Sequence, residues 1–480
     1  MNNFIESYIE AENTRQNDNI ELIASENYPS ERILNTLSCK LQNKYAEGYP
    51  SQSSIDKFIQ EYPDYIHTGK IGRYYGGCEN VDMIELYGRY MWQKVFNTSY
   101  HCNLQPHSGS QANMAAYAAF LKPGDKILAM SLDAGGHLTH SSSVSFVGNL
   151  YNIITYGVKD NGRINYDELT EKIIDEKPNL IVIGASAYPF QINFSAIKEL
   201  IDDAVEAVHE YEWNTSYNPI FMVDMAHIAG LIAADYHPSP FGWADVITTT
   251  THKTLRGPRG GMIFCKPEYA ERIDKAVFPY CQGGSLMNVI AAKAICAEEA
   301  LTLEYRTYIS KVIANCGVMA ERFIELGYKI VGGGTQNHLL LLDLRDTGVT
   351  GKELQEACDK YDITLNKNAI PNDPLPPSEA SGVRIGTAAM TTKGFNVDDF
   401  RYIAEKIDYI IRKIKSEKKP PKTEVITICG YPLETDGFRD VAIYKNATVI
   451  VTENMRTHEY ELRWMRQGNT EETDHYPVDE

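Results

Sequence analysis

Three short stretches bring together residue types that could do chemistry in combination. The first runs Thr248-Thr249-Thr250-Thr251-His252-Lys253, then Gly257-Pro258-Arg259-Gly260-Gly261, with a new strand expected over 262–265. A lysine leaving a β-branched strand among hydroxyl neighbours could form an imine with a carbonyl compound. An exposed lysine is the plain alternative, but it does not account for four threonines, a histidine and a glycine-rich turn. The second stretch, Met222-Val223-Asp224-Met225-Ala226-His227, ends an apolar run in a carboxylate. Ligands of open α/β sheets bind at the carboxyl ends of the strands. Asp224 there could hold a protonated ring nitrogen and turn the ring into an electron sink; a structural or metal-binding aspartate is the other reading. The third, His107-Ser108-Gly109-Ser110-Gln111-Ala112-Asn113, precedes a helix expected over 114–121. Exposed N–H groups at such a helix start can cradle an anion, although the same residues also make a simple N-cap.

These residues need elements to position them. Short apolar runs at Lys126–Met130, Leu180–Ile183 and Ile220–Val223 read as buried strands. Helical patterns at Tyr166–Lys177 and Phe194–Tyr211 lie between them. Strands alternating with helices imply a mostly parallel, doubly wound sheet. Long helices over 288–326 lead to a second α/β region containing Leu339–Leu342, a helix near 351–361, Val383-Arg384-Ile385 and a helix at 397–415. The expected organisation is an arm over 1–20 with a helix at 4–12, a large domain over 21–285, a smaller one over 286–432 and an extension over 433–480. Within the extension, Val441–Tyr444 and Thr448–Thr452 suggest a β-hairpin, and the stretch from Gly468 a flexible tail.

The chain has 480 residues, enough for two or three domains, and a formal net charge of -18. So acidic a surface repels phosphate backbones and argues against a nucleic-acid partner. The Lys-rich stretch Lys413–Lys422 reads as a solvated helix end. Nine cysteines without CxxC spacing suit free thiols in a reducing compartment. The opening residues carry no signal-peptide pattern, and no apolar run is long enough to span a membrane. A cytoplasmic protein without a membrane or metal partner is expected.

Taken jointly, the phosphate cradle, the strand-end Asp224 and Lys253 describe a vitamin B6 site of the aspartate-aminotransferase type. Further segments narrow it: Glu21–Tyr28, Asn43–Pro50, Arg73–Cys78, Gly135–His140, Val223–Gly230, Gln282–Gly284, Asn366–Asn368 and Gly382–Thr387. With these, collinear from about residue 20 to Pro432, the chain resembles the serine hydroxymethyltransferases. The resemblance implies the pyridoxal-5'-phosphate-dependent transferase fold, type I, with a small C-terminal α/β domain. It implies reversible interconversion of serine and glycine, with tetrahydrofolate accepting the one-carbon unit.

Roles follow from it residue by residue. Lys253 would carry the cofactor as a Schiff base and Asp224 would pair with its ring nitrogen. His137 resembles the histidine stacked on the ring, and His227 the one near the phenolic oxygen. Ser108, Gly109 and Ser110 would bind phosphate, helped by Gly283 and Gly284 of a neighbouring subunit, and Ser186 matches a cofactor contact. Arg384 would grip the substrate carboxylate, with Ser25 assisting. Glu47 resembles the acid/base glutamate, with Tyr45 beside it, both reaching across a dimer interface. Tyr75 resembles a tyrosine that assists the exchange of lysine for substrate, with Tyr74 next to it. Thr250, His252 and Arg259 would position lysine, substrate and a neighbouring tyrosine. Leu132, Gly136, Leu138 and Asn368 match pterin contacts. The bland reading of His140, His101 and Tyr74 is core packing. A homodimer with shared sites is implied, with a tetramer left open.

Two departures stand out. Residues 51–72 intervene where family members pass almost directly from Tyr49-Pro50 to Arg73-Tyr74, and Ser285-Leu286-Met287-Asn288 replaces the usual Pro-Leu-Met-His. The insertion touches a loop that carries folate and interface contacts, so a folate-independent aldolase, transaldolase or α-methylserine hydroxymethyltransferase is the first alternative. A non-catalytic scaffold is the second, disfavoured because Lys253, Arg384 and Glu47 are all present.

Overall fold

The computed structural model describes residues 3–212 and 216–418; beyond 418 it describes the strand segments 427–428, 431–432, 440–444, 447–454, 459–466 and 471–476. The chain divides into one unit spanning Met1–Ile410 and another spanning Ile411–Glu480.

A seven-stranded sheet dominates the first unit, in the spatial order His101–Asn103, Gly261–Cys265, Val246–Thr250, Ile220–Asp224, Leu180–Ile183, Lys126–Met130, Asn152–Tyr156. The last five are mutually parallel, and only Gly261–Cys265 runs against its neighbours. Leu180-Ile181-Val182-Ile183 is wholly buried because helices cover both faces of the sheet. Its side chains alternate sides: Ile181 and Ile183 join one core cluster, Leu180 and Val182 the other. The covering helix Phe194–Tyr211 starts at Asn193, whose side chain accepts from the Ala196 N–H, and buries Phe194, Ile197, Ile201, Ala204 and Val208 along one stripe.

A smaller antiparallel sheet, Asn366–Asn368, Gly382–Gly386, Leu339–Asp343 and Lys329–Ile330, follows the helices Met287–Ala300 and Leu303–Glu325. The arm helix runs Phe4–Asp18, longer than the apolar spacing suggests, and buries no residue. The cradle helix starts earlier than its apolar residues imply, at Gly109, because Ser108 caps it by accepting from the Gln111 N–H at 3.2 Å. Among the described residues no helix is long and apolar enough to cross a membrane.

In the second unit Asp440–Tyr444, Ala447–Asn454, Glu459–Arg466 and Glu471–Tyr476 pair in sequence as an antiparallel meander. The first pair is the expected hairpin. The last strand lies where the acidic composition suggests a loose tail; pairing with Glu459–Arg466 gives its backbone the ladder partners that composition cannot reveal.

The insertion is a closed excursion. Its ends meet where the Tyr49 N–H donates to the Gly72 carbonyl and the Gly72 N–H to the Pro50 carbonyl, at 2.9 and 3.1 Å. Between them the helix Gln52–Glu61 packs Ile55 and Phe58, with Tyr65, against Leu86 of the helix Glu79–Val95. Phe58 stacks on Tyr62 at 4.6 Å. The returning segment is pinned to buried Asp274, which accepts from the Lys70 N–H and faces His101 at 2.8 and 2.7 Å. Phe58→Ala is expected to cost about 3 kcal/mol of local stability. It should be read as faster amide exchange confined to residues 52–62; exchange spreading into the seven-stranded sheet would contradict this closed packing.

Candidate active site

The parallel strands end at one cavity of about 900 Å³. Asp224 forms its floor. His140 presents Nε2 to Asp224 Oδ2 at 2.9 Å, and since a carboxylate only accepts, that nitrogen carries the proton. Asn113 Nδ2 donates to the same oxygen at 2.9 Å, and the Ala226 N–H donates to Oδ1 at 3.0 Å. Asn113 is fixed by Thr248, whose hydroxyl donates to its Oδ1 at 2.6 Å. Burial would raise the pKa of Asp224. The hydrogen bond from His140, with the nearby charge of Lys253, outweighs it and holds the carboxyl well below the usual range.

Lys253 also lines the cavity and is buried. Burial pulls its pKa from 10.5 down to about 8; Asp224 opposes that pull, while Arg384 and Arg259 add to it. Its backbone is anchored from elsewhere, since Asn27 Nδ2 donates to its carbonyl at 2.8 Å. The histidines around it are kept neutral. Burial brings His137 to about 4 and His252 to about 3, and drives His227 well below its ordinary value. His227 Nδ1 meets His338 Nε2 at 3.2 Å, and burial holds His338 at about 3.

Ser108, Gly109 and Ser110 face the cavity from the helix N-terminus. Only glycine suits position 109, because an added Cβ would stand 2.5 Å from the Thr250 methyl. Arg384, from the strand Gly382–Gly386, is half-buried in the cavity lining. One NH donates to the Ser186 carbonyl at 2.7 Å, while its Nε has no partner among the described residues. Burial lowers its pKa to about 10. Ser25 and Asn368 lie on the same lining, as do Leu132, Gly136 and Leu138 of the loop after Lys126–Met130. No residue of 51–72 lines the cavity.

Six of the residues expected at the site stand outside this lining: Tyr45, Glu47, Tyr74, Tyr75, Gly283 and Gly284. They gather in an exposed cluster of their own. An added Cβ at Gly283 would be 3.3 Å from Glu47 Oε1, and one at Gly284 3.3 Å from the Tyr45 ring. Tyr45 and Tyr75 pack edge to face at 5.1 Å. Glu47's negative charge, with burial second, raises the Tyr75 pKa. The turn that carries Glu47 is held rigidly. Arg73 donates to the carbonyls of Ala46 and Gly48 at 3.0 and 2.7 Å, and pairs with buried Asp82 and Glu85 at 2.8 Å each. Of the two departures after Gln282-Gly283-Gly284, Ser285 Oγ donates to the Ala46 carbonyl of this turn at 3.4 Å, whereas Asn288 Nδ2 donates to the Leu37 carbonyl at the end of the helix Glu31–Leu37 at 2.8 Å.

His140, Asn113, Thr248 and His338 were not assigned roles by sequence. His140 had a local signal, one helical turn after His137. His338 had none, since its contact with His227 joins segments 111 residues apart.

An amine made nucleophilic by burial, facing a carboxylate kept ionised in the same cavity, suits an aldehyde cofactor with a basic ring nitrogen and a phosphate. The hydroxyl of Thr250, Nδ1 of His252 and Nε of Arg384 are buried polar atoms lacking partners among the described residues, as a polar ligand requires. The fold and this donor set therefore define a pyridoxal 5'-phosphate enzyme of fold type I. Residues 1–407 match the sequence model of the family described as Serine hydroxymethyltransferase, and the chain belongs to that family. It is a one-carbon transferase that interconverts serine and glycine, with pyridoxal 5'-phosphate as cofactor and tetrahydrofolate as cosubstrate.

The depressed Lys253 has a measurable sign. The folded chain binds fewer protons than the unfolded chain between pH 8 and 10.5, so this group opposes folding at neutral pH and the penalty fades as pH rises through that window. Acylation of Lys253 in the cofactor-free protein, followed by peptide mass spectrometry, should level off above pH about 8; a half-point near 10.5 would show an ordinary exposed amine.

Proposed function

We propose that the cavity residues and the outer cluster of a second copy together make one active site. When bound, the cofactor's ring withdraws electrons from the Cα of an amino acid joined to it. Lys253 Nζ is the attachment point, and its low pKa leaves a neutral amine available near pH 8. Ser108, Gly109 and Ser110 receive the phosphate with N–H and hydroxyl groups. Asp224, ionised, accepts the ring N–H, and His140 with Asn113 keeps it ionised and aimed. His137 covers the ring, while His227 and Ser186 flank it. Arg384, with unused donors facing the cavity, takes the substrate carboxylate as a fork, with Ser25 beside it. Thr250, His252 and Arg259 orient Lys253 and the substrate. Leu132, Gly136, Leu138 and Asn368 form the pterin wall, which the insertion leaves open.

Glu47 is assigned the proton at the substrate hydroxyl, with Tyr45, Tyr74 and Tyr75 around it, acting on the cavity of the partner. The observation that carries this reading is the separation of the two clusters, since neither is complete alone. Gly283 and Gly284 travel with Glu47, so they reach the partner's phosphate. The exposed apolar row Phe4, Ile5, Tyr8 and Ile9 on the arm helix supports a second copy as its cover. Dimer is the minimum assembly in this reading. A cytoplasmic location accords with the eight free cysteines among the described residues.

Complementation tests the sharing. Lys253→Ala and Glu47→Gln should each abolish tetrahydrofolate-dependent glycine formation from serine. Mixed by unfolding and refolding, the two dead variants should regain about a quarter of wild-type activity, because half of the random pairs carry one intact site of two. No recovery would place Glu47 with its own chain's lysine. Wild-type glycine formation undiminished without tetrahydrofolate would instead favour an aldolase.

A further inference from the structure

One buried cation takes no part in the chemistry above. Lys293 sits in the helix Met287–Ala300 and is 1% exposed. Its Nζ donates to the carbonyls of Leu104, Pro106 and Gly261 at 2.7, 3.1 and 2.7 Å. An ammonium has three N–H donors and no acceptor, so three carbonyls match the charged form. Burial pulls its pKa down to about 7, with the charge of Glu85 opposing; the hydrogen bonds it donates to the three carbonyls favour the charged form further.

The three carbonyls are not scattered. Leu104 and Pro106 belong to the segment that enters the cradle two residues later. Gly261 closes the turn that leaves Lys253 and carries Arg259, and its N–H donates to Pro106 at 3.1 Å. The helix is fixed in turn by Trp92, whose Nε1 donates to the Lys293 carbonyl at 3.0 Å. Lys293 does not line the cavity; burial lowers the pKa of both His107 and His252, which flank the cradle and the lysine, and the charge of Lys293 adds to that lowering.

We propose that Lys293 is a positioning residue for the phosphate cradle: its ammonium ties the segment entering Ser108–Ser110 to the glycine turn behind Lys253 and sets a buried positive charge behind the anion site. The inference rests on Ser108–Ser110 being the phosphate site. Two variants probe it differently. Lys293→Met keeps the length and removes the charge. Gly260→Ala keeps the charge and displaces it, because an added Cβ would lie 2.5 Å from Lys293 Cε and 3.0 Å from Nζ.

The experiment measures Kd of the cofactor-free protein for pyridoxal 5'-phosphate and for pyridoxal, which lacks the phosphate, with circular dichroism as the folding control. In both variants Kd for the phosphate ester should rise about tenfold or more while Kd for pyridoxal moves less than about twofold. Equal losses for the two ligands, or no loss, overturn the proposal. So does unfolding of both variants, which would make Lys293 a stability residue; if only Lys293→Met unfolds, the ratio measured on Gly260→Ala decides. A wild type with no preference for the phosphate ester would instead remove the assignment of Ser108–Ser110.

Discussion

An ionised carboxylate taken out of water is costly unless its charge and lone pairs are matched, and the arrangement of this enzyme's large sheet follows from matching one. Asp224 stands at the end of the Ile220–Asp224 strand, with donors from three places: His140 from the short helix Leu138–Ser141 after the strand two places away, Asn113 from the cradle helix and the N–H of Ala226. Thr248 of the next strand fixes Asn113. The elements that hold this charge are the walls of the cavity, so the anion cradle and the ring-binding carboxylate are set relative to each other by one hydrogen-bond network. Lys253 follows from the same constraint. It is buried close enough to Asp224 to feel its charge, yet burial still dominates and leaves its amine reactive.

The outer cluster obeys a different logic. Glu47 is half-buried beside exposed tyrosines on a surface turn, and such turns are usually mobile. Here the turn is tied to a buried ion network through Arg73, Asp82 and Glu85, with Arg89 also paired to Glu85 at 2.5 Å. Gly48 is essential to this geometry: its φ is +92°, and an added Cβ would collide with the Gly72 carbonyl. A rigid surface acid is what a site assembled from two chains needs, because the partner's cavity cannot correct a misplaced one.

Two segments are held by contacts of their own, residues 51–72 by an aromatic cluster and the strands from Asp440 to Tyr476 by their ladder. Residues 51–72 leave and return between adjacent residues, bury their own aromatic cluster and keep clear of the cavity lining. The antiparallel meander from Asp440 to Tyr476 pairs within itself. Residues 51–72 need not disturb the cavity, because none of them contributes to its lining.

Much of the chemistry was legible in the chain. Lys253, Asp224 and the Ser108–Ser110 cradle were found by residue type at strand and helix ends, because the parallel sheet converts such ends into one shared edge; Arg384, in the middle of an antiparallel strand of the smaller sheet, came only from the family resemblance. The alternation of apolar runs and helical stripes likewise specified the sheet, since period and burial are local properties. What the sequence could not decide was which side chains meet. It treated His140 as ambiguous, although that histidine stabilises the charge of Asp224 across 84 residues. Only by resemblance did it set Glu47 across a dimer interface from Lys253; within one chain the fold keeps the two in separate clusters. It could not say whether the insertion enters the cavity. Each of these depends on the path of the chain between distant segments, and that path is set by the packing of the whole core, which no short window of sequence contains.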